Sequence, residues 1–390
     1  MEQLSVEQAL PSDGTSGTLV GRVWQPGDPA GPSVVAVRDE GVFDLGAGAP
    51  TMTDLLNADD PVAVARGEGK RIGDLATILA NSAYDRRDPD VPYFLAPSDL
   101  QVIKACGVTF ATSMLERVIE EQARGDASKA QAIRATITEV IGTDLSKIEP
   151  GSDAAMRLKD HLIAQGAWSQ YLEVGIGKDA EVFTKCPPMA AVGTGSEIGI
   201  RRDSDWNNPE PELVLAIGAH GRIVGACLGN DVNLRDFEGR SALLLGEAKD
   251  NNASCALGPL VRLLDQTLSL DQLRTTTISL DVRGEDGFVL SGSSSLAEIS
   301  RDITDLAAQT IGSNHQYPDG VFLFTGTMFA PIQDRDQPGE GFTHKVGDQV
   351  SIACPELGTL VNRVDLCERI APWEFGAHAL MGNLVRRNLL

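Results

Sequence analysis

The chain has few positively charged residues for its size and lacks the sequence signals of membrane insertion. Its 33 lysines and arginines stand against 55 aspartates and glutamates, which gives a formal net charge of −22. Nucleic-acid backbones and anionic membrane surfaces would repel such a chain, so no partner of either kind is expected. No apolar run approaches the length that spans a bilayer, and no signal peptide is recognised. We therefore expect a cytoplasmic protein.

Cysteine and histidine are also scarce, and neither is spaced as a metal-binding motif. The six cysteines are spread along the chain without a Cys-x-x-Cys pair, which favours buried thiols in a reducing compartment. His220, His315 and His344 lack the spacing of zinc ligands. A metal site built on sulfur or imidazole is therefore not indicated.

The chain divides by composition near residue 95. Charged residues and prolines at positions 85–92 break regular structure and suggest a linker. Residues 1–95 are expected to form a small N-terminal accessory domain, with a strand near 18–24 and a helix that starts near Thr51. Residues 96–390 are expected to form a second, larger domain.

The larger unit begins helical and then becomes rich in strands. Apolar residues at helical spacing cover 112–124, and more helix is expected between 127 and 165 as a helical insert. After Phe183, short apolar runs alternate with glycine and proline, as in the predicted hairpin of strands 213–217 and 223–228. We predict an α+β fold that is mainly β.

Acidic residues gather at the end of that predicted hairpin. Glu210 and Glu212 are two apart, so in an extended strand their side chains point to the same face. Pairing of the two strands brings Asp231 back beside them. Close carboxylates repel one another and become protonated unless a cation neutralises them. The spacing leaves two interpretations open, a site for a divalent cation or a solvated acidic strand edge.

If the carboxylates do hold a cation, their chemistry limits its identity. Ligation by oxygen alone favours Mg²⁺, Mn²⁺ or Ca²⁺ over Zn²⁺. Three protein ligands leave coordination positions open for water or for a substrate that chelates the ion.

Several short sequences accompany these acidic residues: Glu210-Pro211-Glu212, Gly229-Asn230-Asp231-Val232, Arg235-Asp236, Lys249 with Cys255-Ala256-Leu257-Gly258-Pro259, and Gly326-Thr327. Together they closely resemble the fumarylacetoacetate hydrolase superfamily over roughly residues 100–390. The resemblance implies a mixed β-sandwich roll in which Glu210, Glu212 and Asp231 bind Mg²⁺, with Mn²⁺ or Ca²⁺ as alternatives. The ion would chelate a 2-keto acid through its carboxylate and keto oxygens.

One position departs from the hydrolases of that superfamily. They carry an Asn-Tyr-x-x-His-x-x-Glu pattern, whereas residues 109–116 read Thr-Phe-Ala-Thr-Ser-Met-Leu-Glu. Ser113 therefore stands in place of the histidine that activates the attacking water, and Glu116 is retained. A serine hydroxyl is too weak a base near neutral pH to replace imidazole, so carbon–carbon hydrolysis by the usual route is not expected.

Longer runs resemble a narrower group, the bacterial 2-keto-3-deoxy-D-pentonate dehydratases, which act on the D-xylonate or D-arabinonate derivatives. The resemblance implies a hydro-lyase that removes water from a 2-keto-3-deoxy sugar acid in non-phosphorylated pentose breakdown. Its product would be 2-oxoglutarate semialdehyde, and its assembly a homodimer or a larger even homo-oligomer. The matching runs are residues 107–111, 115–121, 230–240, 249–255 and 328–336.

The same resemblance suggests roles for residues outside the ligand set. Glu116 and Lys249 are the hypothesised catalytic pair, one base and one acid in unassigned order, with Glu120 one helical turn on as a substitute base. Burial beside a metal is expected to lower the proton affinity of Lys249. Without the resemblance, these residues would be interpreted as solvated charges. Substrate contacts are expected from Ser113, Arg235, Asp236 and Thr327.

Two other functions remain open. An acylpyruvate-type hydrolase or a 2-keto acid decarboxylase would use the same metal cage. A non-catalytic keto-acid-binding protein is compatible with the missing histidine.

Overall fold

The computed structural model consists of strands and helices joined by loops and turns. It covers residues 5–124, 126, 129, 133, 148–164, 168–328, 331, 333–337 and 341–390, and for residues 111–113 the backbone alone. The strands are β1 (Leu19–Gln25), β2 (Gly31–Arg38), β3 (Gly41–Asp44), β4 (Lys70–Gly73), β5 (Tyr93–Leu95), β6 (Val102–Gly107), β7 (Glu181–Cys186), β8 (Glu197–Ile200), β9 (Asn207–Asn208), β10 (Pro211–Ile217), β11 (Ile223–Asp231), β12 (Asn233–Leu234), β13 (Cys255–Leu263), β14 (Thr277–Arg283), β15 (Val289–Ser295), β16 (Val321–Phe324), β17 (Gln349–Cys354) and β18 (Gly358–Leu366). The α-helices are α1 (Val6–Ala9), α2 (Met52–Leu56), α3 (Pro61–Arg66), α4 (Leu75–Asn81), α5 (Ala111–Ala123), α6 (Asp153–Ala164), α7 (Gln170–Ile176), α8 (Arg235–Arg240), α9 (Leu245–Lys249), α10 (Leu270–Leu273), α11 (Ile303–Thr310) and α12 (Ala377–Arg386).

The strands of the described residues form two main sheets, a larger and a smaller one, and a separate pair of β9 with β12. The larger sheet has the strand order β4-β3-β2-β1-β13-β11-β10-β16-β6-β7, with β5 also paired to β1. The smaller sheet has the order β15-β14-β17-β18-β8. The pairs β16–β6 and β18–β8 are parallel, and the other pairs are antiparallel. The prediction of an α+β, mainly β fold is therefore confirmed.

The alternation of side chains along β10 separates the core from the acidic residues. Leu213 and Leu215 point into a cluster that also contains Leu280 and Val282 of β14, so this cluster lies between the two sheets. Val214 belongs to a second cluster on the opposite face. Because successive strand residues alternate, Glu212 lies on the same face as Val214, away from the smaller sheet.

Strands from residues 1–95 extend the larger sheet. Leu19 and Val20 of β1 pair with Arg262 and Val261 of β13, a strand of the other unit. The predicted cap at Thr51 is present, because its side chain accepts a hydrogen bond from the Asp54 amide at the start of α2. The division at residue 95 stays a prediction, which truncation of the chain would test.

The predicted helix at 112–124 corresponds to α5, which spans Ala111–Ala123. Within the predicted helical insert at 127–165, the structure describes α6, whereas residues 127–128, 130–132, 134–147 and 165 lie outside the described residues. In the described part of the chain, no helix has the length and apolar character needed to span a bilayer.

Candidate metal centre

The three predicted ligands meet at the open end of the β10–β11 hairpin. Glu212 pairs with Gly229 across the hairpin, and the amide of Asp231 donates to the carbonyl oxygen of Glu210 at 3.0 Å. One carboxylate oxygen from each of Glu210, Glu212 and Asp231 lies within 4.8 Å of the others. The side chains are at most 2% exposed, so the interpretation as a solvated acidic edge is wrong. The hairpin register brings the carboxylates together, as the sequence predicts.

Three buried cations contact two of these carboxylates. The Lys249 ammonium donates to Glu210 Oε2 and, at 2.9 Å, to Asp231 Oδ2. The Lys185 ammonium lies 2.8 Å from Asp231 Oδ1. A guanidinium nitrogen of Arg117 donates to Glu210 Oε1. Every carboxylate oxygen of Glu210 and Asp231 is therefore paired with a cation.

Glu212 is held differently, by a main-chain amide. The Gly326 N–H donates to Glu212 Oε2 at 2.7 Å. Gly326 has φ of +103°, and a Cβ atom there would collide with Thr109, whose hydroxyl donates to the Thr325 carbonyl at 2.7 Å. The position therefore requires glycine, both for its backbone angle and for the close approach of Thr109.

Burial and charge drive the pKa values of Glu212 and Asp231 apart. Burial, followed by repulsion from Asp231 and Glu210, raises the pKa of Glu212 well above its ordinary value. Burial would also raise the pKa of Asp231, but Lys185 and Lys249 outweigh it, and that pKa is lowered. The predicted repulsion among the carboxylates therefore raises the pKa of Glu212, because no cation contacts this residue in the described ion pairs.

The protonation of Lys249 differs from the sequence-based expectation. Burial alone would lower the pKa of this ammonium, but the carboxylates of Asp231 and Glu210 outweigh burial and raise the pKa above its ordinary value. Lys249 is therefore a firmly protonated cation, which can donate a proton or bind an anion.

A network of ion pairs connects α5 and α8 to the carboxylates. Glu120 accepts from Arg117 and from Arg235, each at 2.6 Å, and these two guanidinium groups lower its pKa despite its burial. Arg117 also lies 3.0 Å from Glu238. Arg235 lies 3.4 Å from Glu116 and stacks on the Trp206 ring at 4.7 Å. Because Glu120 is held ionised between two arginines, it is poorly suited as the substitute base.

Glu181, at the start of β7, carries the pKa best suited to proton transfer. It pairs with Gly107 of β6, and its carboxyl group lies over that glycine, where a Cβ atom would collide with it. Burial, followed by repulsion from Glu238, raises its pKa from 4.5 to about 7. A carboxyl group with this pKa exchanges protons readily near neutral pH.

The four predicted substrate-binding residues differ in their burial and their contacts. Arg235 is buried in the ion-pair network, with a further hydrogen bond of 3.2 Å to the Pro331 carbonyl. Thr327 is buried directly after Gly326. Asp236 accepts hydrogen bonds from the Ser204 hydroxyl at 2.8 Å and the Asp205 amide at 3.1 Å. Ser113 lies in the first turn of α5, and its side chain is outside the described residues.

The sequence predicts no role for four charged residues of this centre. Lys185 and Glu181 come from β7 and read as ordinary polar residues of a strand, so the sequence gives no signal for them. Arg117 and Glu238 lie within the runs that resemble the dehydratases, and each faces the site from its own helix. Those runs were the signal that could have found them.

The charge balance of the centre fits a divalent cation. The contacting groups comprise six carboxylates and four cations, so their formal charge is −2 when all are ionised. Three convergent oxygen ligands are typical of a hard ion. Histidine is not among the described residues that contact the triad. The groups counted are Glu116, Glu120, Glu210, Glu212, Asp231 and Glu238 against Arg117, Lys185, Arg235 and Lys249.

Fold and site together define a mainly β protein with a buried carboxylate cluster that could hold a metal ion. The family model of the fumarylacetoacetate hydrolase C-terminal domain matches residues 158–365, more than half of the chain. The chain belongs to the fumarylacetoacetate hydrolase family.

Two relatives share about a third of their aligned residues with the chain. A 2-dehydro-3-deoxy-D-arabinonate dehydratase from Saccharolobus solfataricus is 33% identical over 187 residues, which cover 47% of this chain and 58% of that protein. A probable 2-keto-3-deoxyxylonate dehydratase from Haloferax volcanii is 32% identical over 194 residues, covering 50% and 63%. The matched stretch therefore spans less than two thirds of either relative.

Solved structures resemble the fold over most of its length. An apo 2-keto-3-deoxy-D-arabinonate dehydratase aligns with a TM-score of 0.62 and 21% identity, covering 89% of this chain and 99% of that one. A structure of a 2-keto-3-deoxy-D-arabinonate dehydratase complexed with magnesium and 2,5-dioxopentanoate aligns with a TM-score of 0.61, 21% identity and the same coverage. At this identity the likeness concerns the fold.

Proposed function

We propose that the protein is a Mg²⁺-dependent dehydratase that converts 2-keto-3-deoxy-D-pentonate to 2-oxoglutarate semialdehyde and water. The observation that carries the proposal is the buried triad of Glu210, Glu212 and Asp231, placed among cations and a carboxyl group of pKa about 7. The names of the two dehydratase relatives agree with it.

Glu210, Glu212 and Asp231 would hold the ion, and Mg²⁺ fits their oxygen ligands, with Mn²⁺ or Ca²⁺ as alternatives. A relative in fold binds magnesium together with 2,5-dioxopentanoate, which is the same compound as 2-oxoglutarate semialdehyde. When bound, the ion would polarise the C2 ketone and favour loss of a C3 proton.

The reaction needs a base at C3, an acid at the C4 hydroxyl and a second proton shift. A C3 proton leaves to a base, and the C4 hydroxyl departs as water with a proton from an acid. Transfer of a C5 proton to C3 then gives the enol of the aldehyde, so one water is lost overall. Lys249 is the proposed acid and anion anchor, because the family resemblance gives it that role and its ammonium carries a proton. Its raised pKa makes it a weak acid as long as it contacts Asp231 and Glu210.

Two carboxyl groups are available as the base. Glu116 is the base that the family resemblance suggests, and it lies beside Arg235. Glu181 is the alternative, because its pKa of about 7 lets it accept a proton near neutral pH and return it in the second shift. Ser113, Arg235, Asp236 and Thr327 are the proposed residues for binding and placing the sugar acid.

One assay separates this function from its rivals. The protein is incubated with Mg²⁺ and 2-keto-3-deoxy-D-pentonate, and products are analysed by mass spectrometry. Semialdehyde is the expected product. Carbon–carbon fragments would indicate an acylpyruvate-type hydrolase or a decarboxylase, and bound but unchanged ligand would indicate a keto-acid-binding protein. The lack of a histidine among the described contacts of the triad favours the dehydratase over the hydrolase.

We also propose a cytoplasmic location and a homodimer or a larger even homo-oligomer. The family resemblance supports the assembly, and the composition of the chain supports the location. Light scattering coupled to size-exclusion chromatography measures the subunit number directly.

A further inference from the structure

Lys249 occupies a position that matters for any ion held by the triad. Both hydrogen bonds of its ammonium go to proposed ligands, one to Glu210 Oε2 and one of 2.9 Å to Asp231 Oδ2. Its side chain is 3% exposed and its ammonium lies 5.6 Å from the centre of the Phe183 ring. Lys249 thus bridges two of the carboxylates that are proposed to bind the ion.

The other two cations that contact the triad, Lys185 and Arg117, are also held by further partners. Lys185 also donates to the carbonyl oxygens of Val232, at 3.1 Å, and of Lys249. Arg117 also pairs with Glu120 at 2.6 Å and with Glu238 at 3.0 Å. Displacing either cation would leave those partners unsatisfied in a buried setting, which is costly. Among the described residues, the hydrogen bonds of the Lys249 ammonium go to the two proposed ligands, so its displacement leaves no third hydrogen-bond partner there unsatisfied.

A divalent ion held by the triad would need a carboxylate oxygen from both Glu210 and Asp231, and Mg²⁺ binds oxygen at about 2.0–2.1 Å. The Lys249 ammonium bridges these two carboxylates, and the remaining oxygen of each is paired with Arg117 or Lys185. Two cations at one bridging position repel each other strongly at low dielectric.

We propose that the Lys249 ammonium and the divalent ion compete for Glu210 and Asp231, so that ion binding releases Lys249 from the triad. The proposal rests on the proposed function, because it assumes that the triad is the metal site. Its consequence is an order of events, in which the ammonium becomes available to the keto acid only after the ion has bound. A site without its ion would then hold its proposed acid in an inactive position.

The test is a titration with MgCl₂ in the absence of keto acid, monitored by isothermal titration calorimetry. We expect K249M to bind Mg²⁺ at least about tenfold more tightly than wild type, because the competitor is gone. K104M removes a half-buried lysine whose ammonium donates to Thr184, and it should leave the affinity unchanged. K185M removes one positive charge beside Asp231 without removing the bridge, so it controls for charge alone. Equal tightening by K185M, or no tightening by K249M, would overturn the proposal.

A second measurement covers the case in which K185M fails to fold. Wild-type protein is treated with an amine-acylating reagent with and without Mg²⁺, and modification of each lysine is quantified by mass spectrometry. Mg²⁺ should increase acylation of Lys249 severalfold and leave Lys104 unchanged, and equal acylation of Lys249 in both conditions would contradict the release.

The same experiments distinguish this proposal from the proposed function. If wild type gives no binding heat, or if E212Q binds Mg²⁺ like wild type, the triad is not the metal site and both fail. If wild type binds Mg²⁺, E212Q loses that binding and K249M does not gain affinity, only the competition is excluded.

Discussion

Individual charges in the centre are balanced by contacts between side chains, since water has little access to them. Asp231 lies between two ammonium groups, and Glu210 lies between an ammonium and a guanidinium. Removing one member leaves its partner buried and uncompensated, which commonly costs more than the pair contributed. Substitutions here therefore change both chemistry and stability, and each experiment needs a readout for both.

Replacing Lys249 by alanine should remove turnover and leave the fold intact. The proposed acid and anion anchor would be lost, and general acid catalysis typically contributes about 10²–10⁴-fold to rate. Steady-state kinetics with the sugar acid measures the loss, and circular dichroism checks the fold. Activity near the wild-type level in K249A would refute the role of Lys249.

The raised pKa of Glu181 predicts a pH-dependent stability. Its pKa is raised from the ordinary 4.5 of a glutamate to about 7 in the folded protein, so the folded state binds this proton more tightly. The contribution of Glu181 to stability is therefore complete below pH 4.5 and is lost as pH rises through about 7. Relative to E181Q, the wild-type free energy of unfolding should fall by up to about 3 kcal/mol over this window.

Urea denaturation of chelator-treated protein at several pH values measures that difference. E247Q, which changes a carboxylate paired with Arg201 on the surface, is the matched control. Parallel stability curves for wild type and E181Q would contradict the raised pKa.

At this scale the sequence predicts only what is close along the chain. Glu210 and Glu212 follow from a spacing of two, and Asp231 follows from the hairpin, because strand periodicity and pairing are local properties. Lys185 and Glu181 could not be predicted, because their burial depends on how β7 packs against distant residues. The ionisation of Lys249 likewise depends on partners that only the folded structure brings within contact.

At the scale of secondary-structure elements, the segment that follows β16 helps to position the triad. β16 is a neighbour of β10, the strand that carries Glu212. The Gly326 amide holds Glu212, and Thr109, at the end of the segment before α5, packs against the same glycine. The backbone of this segment thus connects a ligand to the start of α5.

Replacing Gly326 by alanine should destabilise the protein by about 2 kcal/mol or more, because it adds a steric clash to an unfavourable backbone angle. It should also weaken Mg²⁺ binding, since Glu212 loses its anchoring amide. Chemical denaturation and calorimetry measure the two effects. G287A is the matched control, because Gly287 also has positive φ, of +82°, but has open space at the Cβ position. If G287A is as harmful as G326A, the close approach of Thr109 is not the cause.

Helices α5 and α8 are joined through Glu120, which binds one arginine from each. Replacing Glu120 by glutamine should destabilise the protein by about 3 kcal/mol, because two buried guanidinium groups lose their shared anion. E121Q is the matched control, since Glu121 accepts from the neutral side chains of Ser169 and Gln170, and its loss should cost about 1 kcal/mol. Thermal unfolding compares the two variants, and equal losses would show that the ion pairs contribute little.

At the scale of the whole molecule, the predicted accessory unit shares its core with the rest of the chain. Val20, Val34 and Met52 belong to the same buried cluster as Val214 and Phe324. The sequence separates the two units by composition, but strand pairing between β1 and β13 depends on contacts more than two hundred residues apart. Periodicity cannot predict such pairing, whereas the mainly β character of the chain could be predicted from its short apolar runs.

A chain truncated to residues 96–390 should therefore fail to fold on its own. It would expose the edge of β13 and one side of the shared cluster. Expression of the truncated chain, with solubility and circular dichroism as readouts, tests this expectation. A soluble fragment with native strand content would instead establish residues 1–95 as a separable domain.

The hairpin origin of the three ligands has a consequence for how the protein matures. Glu210, Glu212 and Asp231 lie within 22 residues of sequence, counted from 210 to 231, so closing the loop between them costs little entropy. The three carboxylates can therefore be brought together by one local element, without the long-range strand pairs of the larger sheet. An ion bound at the proposed site would favour formation of this hairpin during folding.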